Sequence, residues 1–143
     1  EGPKSQDIGT FFEDIYAHNG IAIFRKGSFL ILSTLEGLRV PEDLSCEMVP
    51  MDERSGEYRS HYAGYIDPGW GCLTKNNPQK GSHITLEVVP FARNLIVRDG
   101  QAFAKVRYER MAQRPDRPYQ MTGSYNGQRF AQPSKHFKKR NTA

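Results

Sequence analysis

Apolar positions recur with a period of two, or as short unbroken runs, over most of the chain. Ile21–Phe24, the run Ser28–Thr34 (SFLILST), Ser45–Val49, Ile84–Val89, Asn94–Val97 and the alternating Ala102–Glu109 (AFAKVRYE) have strand length and composition. Lys26-Gly27, Val40-Pro41-Glu42-Asp43-Leu44 and Arg98-Asp99-Gly100-Gln101 punctuate them as turns or breaks. Short strands spaced this way predict an all-β jelly roll or barrel. Only the start of the chain admits two readings. Ile8, Phe11, Phe12, Ile15 and Tyr16 fit one helical face with Asp7 as its cap. Alternatively, Phe11–Ala17 is a strand turned back through Asn19-Gly20, a strong hairpin dipeptide. Periodicity alone does not decide between them.

Beyond Met111 the pattern lapses. Arg114-Pro115-Asp116-Arg117-Pro118 excludes regular structure, because proline removes a donor and restricts the residue before it. The polar, glycine-bearing Thr122–Arg129 follows. The expected organisation is a β domain over residues 1–111 and an extended arm over 112–143.

Composition narrows the class. With 143 residues and 37% hydrophobic content the chain makes one domain with one core. No apolar run approaches the roughly 20 residues that span a bilayer. The net charge of +4 is concentrated late, with four basic side chains among the last nine residues. Such a tail suits a polyanion, but chain ends are commonly solvated. The balanced body makes nucleic acid an unfavoured partner. Cys46 and Cys72, 26 positions apart, form neither a metal motif nor a disulfide framework, which points to free thiols in a cytoplasmic setting.

Candidate chemistry gathers between Glu47 and Gly71 and around Glu87. By alternation Thr85, Glu87 and Val89 share one strand face and Ile84, Leu86 and Val88 the other. Glu87 is thus a solvent-facing carboxylate or, in a pocket, a proton shuttle. Arg54, Ser55 and Arg59 suit an oxyanion, since guanidinium binds phosphate oxygens bidentately. A charged surface turn accounts for them as well. In Gly64–Gly71 (GYIDPGWG), Tyr65 offers a flat face to a base and Asp67 a carboxylate to a hydroxyl. A tight hairpin around a buried Trp70 is the plainer alternative.

These stretches resemble a family. Tyr62-Ala63-Gly64-Tyr65-Ile66-Asp67-Pro68-Gly69-Trp70-Gly71 followed by Ile84-Thr85-Leu86-Glu87-Val88 is similar to the dCTP deaminases of the trimeric dUTPase-like superfamily. Gly27–Glu36, Val40–Leu44, Ser124–Gln128 and Pro133-Ser134-Lys135 resemble further motifs of the same family, in the same order. The fullest likeness is to the C-terminal half of a longer, two-domain bacterial form. That half carries E-M-V-P-x-D, H-Y-A-G, D-P-G and S-K-H-F segments like those here, and it favours a strand over Phe11–Ala17.

The resemblance implies a distorted jelly roll of the dUTPase-like (β-clip) type, forming trimers or pseudo-trimers with sites between subunits. It implies hydrolysis of dCTP to dUTP without zinc, whose usual H-x-E and P-C-x-x-C ligand set is missing from the sequence. Glu87 aligns with the family's catalytic glutamate, and Ser55 and Arg59 with groups that organise the attacking water. Arg54, Ala63, Tyr65 and Asp67 would bind substrate. Tyr125, Gln128 and Lys135 would close over the triphosphate, with Mg²⁺ bound through its oxygens. Two other expectations stand beside this one: a dUTP pyrophosphatase, and a non-catalytic nucleotide-binding or assembly domain of the same fold.

Overall fold

The computed structural model describes residues 7–51, 58–60, 64–75, 81–131, 134 and 137, without the side chains of 50 and 58–60. Among the described residues eight strands follow one another: β1 (Ile21–Phe24), β2 (Leu30–Leu38), β3 (Leu44–Pro50), β4 (Tyr58–Ser60), β5 (Tyr65–Ile66), β6 (Ser82–Pro90), β7 (Leu95–Arg98) and β8 (Ala104–Arg110). One short helix, α1 (Tyr119–Thr122), lies in the segment after β8. The all-β expectation holds. Among the described residues the strands form three small sheets, β1-β7, β2-β6-β4 and β5-β3-β8, and none closes into a barrel.

The six strands anticipated from Ile21 onward are present as β1, β2, β3, β6, β7 and β8, with ends moved by a few residues, whereas β4 and β5 fall in stretches whose sequence predicts loop. The pairings are antiparallel and long in range: β2 runs beside β6 with Leu30 opposite Val88, and β3 beside β8 with Cys46 opposite Tyr108. The β2–β6 register slips between Ser33 and Gly37. Thr34 bridges that slip, its Oγ1 accepting from the Ile84 N–H at 2.9 Å and donating to the Glu36 carbonyl at 2.8 Å.

The core sits between the two three-stranded sheets. Leu30, Ile84, Leu86 and Val88 enter it from one, Cys46, Met48 and Ile66 from the other, with Phe24 and Val40 alongside. Burying side chains of this size contributes about 1.5–3 kcal/mol each.

The N-terminal segment follows neither reading of its sequence. It makes one 3-10 turn over Ile8–Thr10, with the Asp7 carboxylate accepting from the Gly9 N–H at 2.9 Å. Residues 12–17 are irregular, and the first pairing is the bridge His18↔Ile21. Asn19 and Gly20 both take positive φ (51° and 71°), the geometry of a primed hairpin turn. So the turn is real, but among the described residues no strand precedes it. Phe11, Ile15 and Tyr16 are all at least half exposed. A short helix without a surface to bury its apolar face is marginal.

Candidate functional site

β6 carries the candidate carboxylate. Ile84, Leu86, Val88 and Pro90 are buried while Thr85, Glu87 and Val89 are half-buried, so alternation places Glu87 on the outer face. An open apolar groove of about 650 Å³ lies on the opposite side, lined by Leu32, Ile84, Leu86, Val97 and Phe103 among others, and not by Glu87. The candidate site is therefore a surface of β6 that other segments must complete.

The segment after β8 supplies part of it. Pro118 is extended (φ -66°, ψ 160°) and α1 begins with the Tyr119 N–H donating to the Pro68 carbonyl at 2.8 Å. The ring of Tyr119 lies 5.0 Å from that of Trp70. The turn Ser124–Gly127 then docks against the loop that follows β5. Asn126 Oδ1 accepts from the Gly71 N–H at 2.9 Å, and its Nδ2 donates to the Cys72 carbonyl at 3.2 Å. The Gly127 N–H donates to Ser82 Oγ at 2.6 Å. Gln128 reaches the outer face of β6, its Nε2 donating to the His83 carbonyl at 2.8 Å and to Thr85 Oγ1 at 3.3 Å. The arm thus lies along the column that continues to Glu87.

Gly71 makes this approach possible. Its φ is +66°, and a Cβ there would stand 2.1 Å from the Leu38 carbonyl oxygen and 2.8 Å from the Ser82 nitrogen. Only glycine takes that conformation without strain and admits backbone so closely.

Asp67, Tyr119 and Tyr125 are neighbours at the same place. Burial pushes the Tyr119 phenol above its ordinary value. The Tyr125 N–H that donates to its oxygen at 3.3 Å opposes this, and the negative charge of Asp67 adds to it. Tyr65 behaves differently. It lies on β5 opposite Glu47, and its hydroxyl donates to Ser45 Oγ at 2.9 Å on the β5-β3-β8 sheet. Ile66 beside it faces the common core, so Tyr65 looks away from the face that carries Glu87.

Of the residues singled out in the sequence, the fold brings Asp67, Tyr125 and Gln128 together near the start of β6. The backbone of Arg59 lies in β4 opposite Val89, two positions from Glu87. Arg54, Ser55, Ala63 and Lys135 lie outside the described residues. The sequence reading passed over Ser82, His83, Thr85 and Asn126. Thr85 had a signal, since alternation put it beside Glu87, and Asn126 lay within the Ser124–Gln128 motif; Ser82 and His83 had none, because their partners are 45 residues away. Among the described residues no three His, Cys, Asp or Glu side chains gather as a metal site.

The family model described as "2'-deoxycytidine 5'-triphosphate deaminase (DCD), C-terminal domain" matches residues 2–137. A curated relative, "dCTP deaminase, dUMP-forming" of Methanothermobacter thermautotrophicus, is 28% identical over 121 residues, covering 82% of this chain and 56% of its own. The crystal structure of 2'-deoxycytidine 5'-triphosphate deaminase from Agrobacterium tumefaciens superposes with a TM-score of 0.67 at 34% identity, over 75% of this chain and 32% of that one. The chain therefore spans about half the length of the curated relative and a third of the solved one.

Proposed function

The chain belongs to the family of 2'-deoxycytidine 5'-triphosphate deaminase C-terminal domains, and on that premise we propose that it contributes the catalytic face for hydrolytic deamination of dCTP to dUTP and ammonia. The observation that carries this reading is the column on β6. Gln128 of the arm sits on Thr85, and Glu87 follows on the same face, half-buried and within reach of a ligand held under the arm.

In this reaction Glu87 takes a proton from the water whose oxygen bonds to C4 of the cytosine ring. N3 gains one of the water's two protons and the exocyclic nitrogen, through Glu87, the other; the C4–N bond breaks, ammonia leaves and the ring keeps a C4 carbonyl and an N3–H. A carboxylate that accepts and then donates performs general base and general acid work in turn. Ser55 and Arg59 order the water and the developing charge, Ala63 meets the base through its backbone, and Asp67 meets the sugar. Arg54 binds phosphate oxygens. Tyr125, Gln128 and Lys135 close over the triphosphate, and Tyr65 completes the binding surface from the other sheet.

Tyr65 and Glu87 face away from one another within one chain, which favours sites shared between copies in a trimer or pseudo-trimer. Magnesium fits as a companion of the substrate. Mg²⁺ is commonly held by phosphate oxygens and water with few protein carboxylates, and the described residues offer no carboxylate cluster. The reaction uses no zinc and serves the cytoplasmic nucleotide pool.

The name of the curated relative supplies a second reading, in which the product continues to dUMP. Incubation with dCTP and Mg²⁺, followed by anion-exchange separation of nucleotides, tests both. Formation of dUTP supports deamination alone, and dUMP supports the combined reaction. Unchanged dCTP, with a folded oligomer in solution, favours a non-catalytic assembly domain.

A further inference from the structure

His83 opens the outer-face column of β6 and differs from the rest of it. Thr85, Glu87 and Val89 are half-buried, whereas His83 is 4% exposed, because residues 128–130 lie across it. Four contacts join them. The His83 N–H donates to the Gln128 carbonyl at 3.1 Å, and the His83 carbonyl accepts from Gln128 Nε2 at 2.8 Å. Arg129 Nη1 stands 3.3 Å from His83 Nε2, and the Phe130 ring meets the imidazole edge-on at 5.4 Å.

A guanidinium only donates, so in this contact Nε2 is the acceptor and the ring N–H lies on Nδ1. Nδ1 is buried and finds no hydrogen-bond partner among the described residues. Phe130 holds φ at +59°, a left-handed conformation that a bulky side chain adopts only under strain. An orphaned donor and a strained backbone thus meet at one contact. A leucine at position 83 would fill the space without the orphan; what the histidine adds is an acceptor for Arg129.

We propose that His83 is the positioning residue of the arm. Its Nε2 and ring edge seat residues 128–130, which holds Gln128 against Thr85 and fixes how the arm crosses the face of Glu87. The arm is then an anchored strap rather than a free tail, and a nucleotide binds beneath a preset edge. The kinetic consequence rests on the deaminase reading; the anchoring does not.

Amide hydrogen exchange on the full chain tests the anchor. In His83→Leu the amides of Gly127 and Gln128 should exchange about tenfold faster or more, while Leu86 and Val88 keep their protection. His83→Gln, which retains an acceptor, should restore most of it. Arg129→Ala, an exposed position with little risk to folding, should reproduce the loss. Where dCTP is turned over, His83→Leu should raise KM about tenfold with kcat nearly unchanged, the pattern of lost binding rather than lost chemistry, and His83→Gln should reverse the change. Unaltered Gly127 and Gln128 exchange in both His83→Leu and Arg129→Ala overturns the proposal, as does acceleration of Leu86 and Val88 to the same extent. If the unsubstituted chain leaves dCTP untouched, the deaminase reading fails, and the exchange result still decides the anchor.

Discussion

The side-chain amide of Gln128 donates to the Thr85 hydroxyl at 3.3 Å, and Thr85 stands two residues before Glu87 on the same face of β6. Two residues of strand advance about 6.6 Å, so a group held by Gln128 lies within one side chain's reach of the carboxylate. A tail separated from β6 by some forty residues of sequence thus borders the catalytic candidate.

This relationship separates two substitutions. Glu87→Gln removes the proposed proton carrier and should lower kcat by roughly a thousandfold, within the range that general acid–base groups contribute. The melting temperature should hardly move, because Glu87 is half-buried on the outer face. Gln128→Ala removes hydrogen bonds instead, each worth about 0.5–1.5 kcal/mol, and should act mainly on KM for dCTP. Steady-state kinetics beside thermal melting checks the pair. A Glu87→Gln enzyme of undiminished kcat would remove Glu87 from the mechanism.

Gly71→Ala should be among the most damaging small substitutions in the described chain. The added methyl collides with the Leu38 carbonyl and the Ser82 nitrogen, and neither backbone group can move without opening the junction of β2 and β6. A loss of about 3 kcal/mol or more is expected from combined overpacking and backbone strain, measured by urea unfolding. Gly27→Ala, where a Cβ meets nothing within 4 Å but φ is +77°, should cost less and serves as the control.

Stability should fall at alkaline pH. Burial raises the Cys46 thiol above its ordinary value, and burial likewise raises Cys72, Tyr108 and Tyr119. A group whose folded pKa lies above its unfolded value favours the folded state at pH below the unfolded value, and that contribution is lost as pH rises through it. The thiols therefore act from about pH 8.5 upward and the phenols from about pH 10. Urea midpoints should decline in those two ranges, the first decline shrinking in Cys46→Ala relative to that protein's own neutral value. Cys46, fully buried, should also resist alkylation at pH 8 until the chain unfolds.

Aromatic rings tie Phe137 to the N-terminal turn. Phe137 lies 5.6 Å from Phe11 and 5.4 Å from Phe12, tilted to one and edge-on to the other. Such pairs contribute about 0.5–1.5 kcal/mol each beyond their buried area. Phe137→Ala should release the N-terminal turn, seen as faster exchange of the Phe12 amide that bonds the Ile8 carbonyl. The β6 amides should be unaffected.

Sequence by itself determined six of the strands, the turns between them and the residues that share a face with Glu87, but not the short β4 and β5. Alternation of apolar side chains and the conformational demands of Asn19-Gly20 and Lys26-Gly27 act over a few residues, so they are legible locally. The family likeness in Gly64–Gly71 and Ile84–Val88 was legible for the same reason. Tertiary structure alone decided the rest. The N-terminal helical pattern gave way to one 3-10 turn because, among the described residues, Phe11, Ile15 and Tyr16 stay at least half exposed, with Phe11 resting on Phe137. Tyr65 turned to Ser45 because its neighbour Ile66 faces the core. The arm came to rest on Ser82, His83 and Thr85 through hydrogen bonds between residues more than forty positions apart. Pairings of that range depend on how whole sheets pack, and no window of sequence contains both partners.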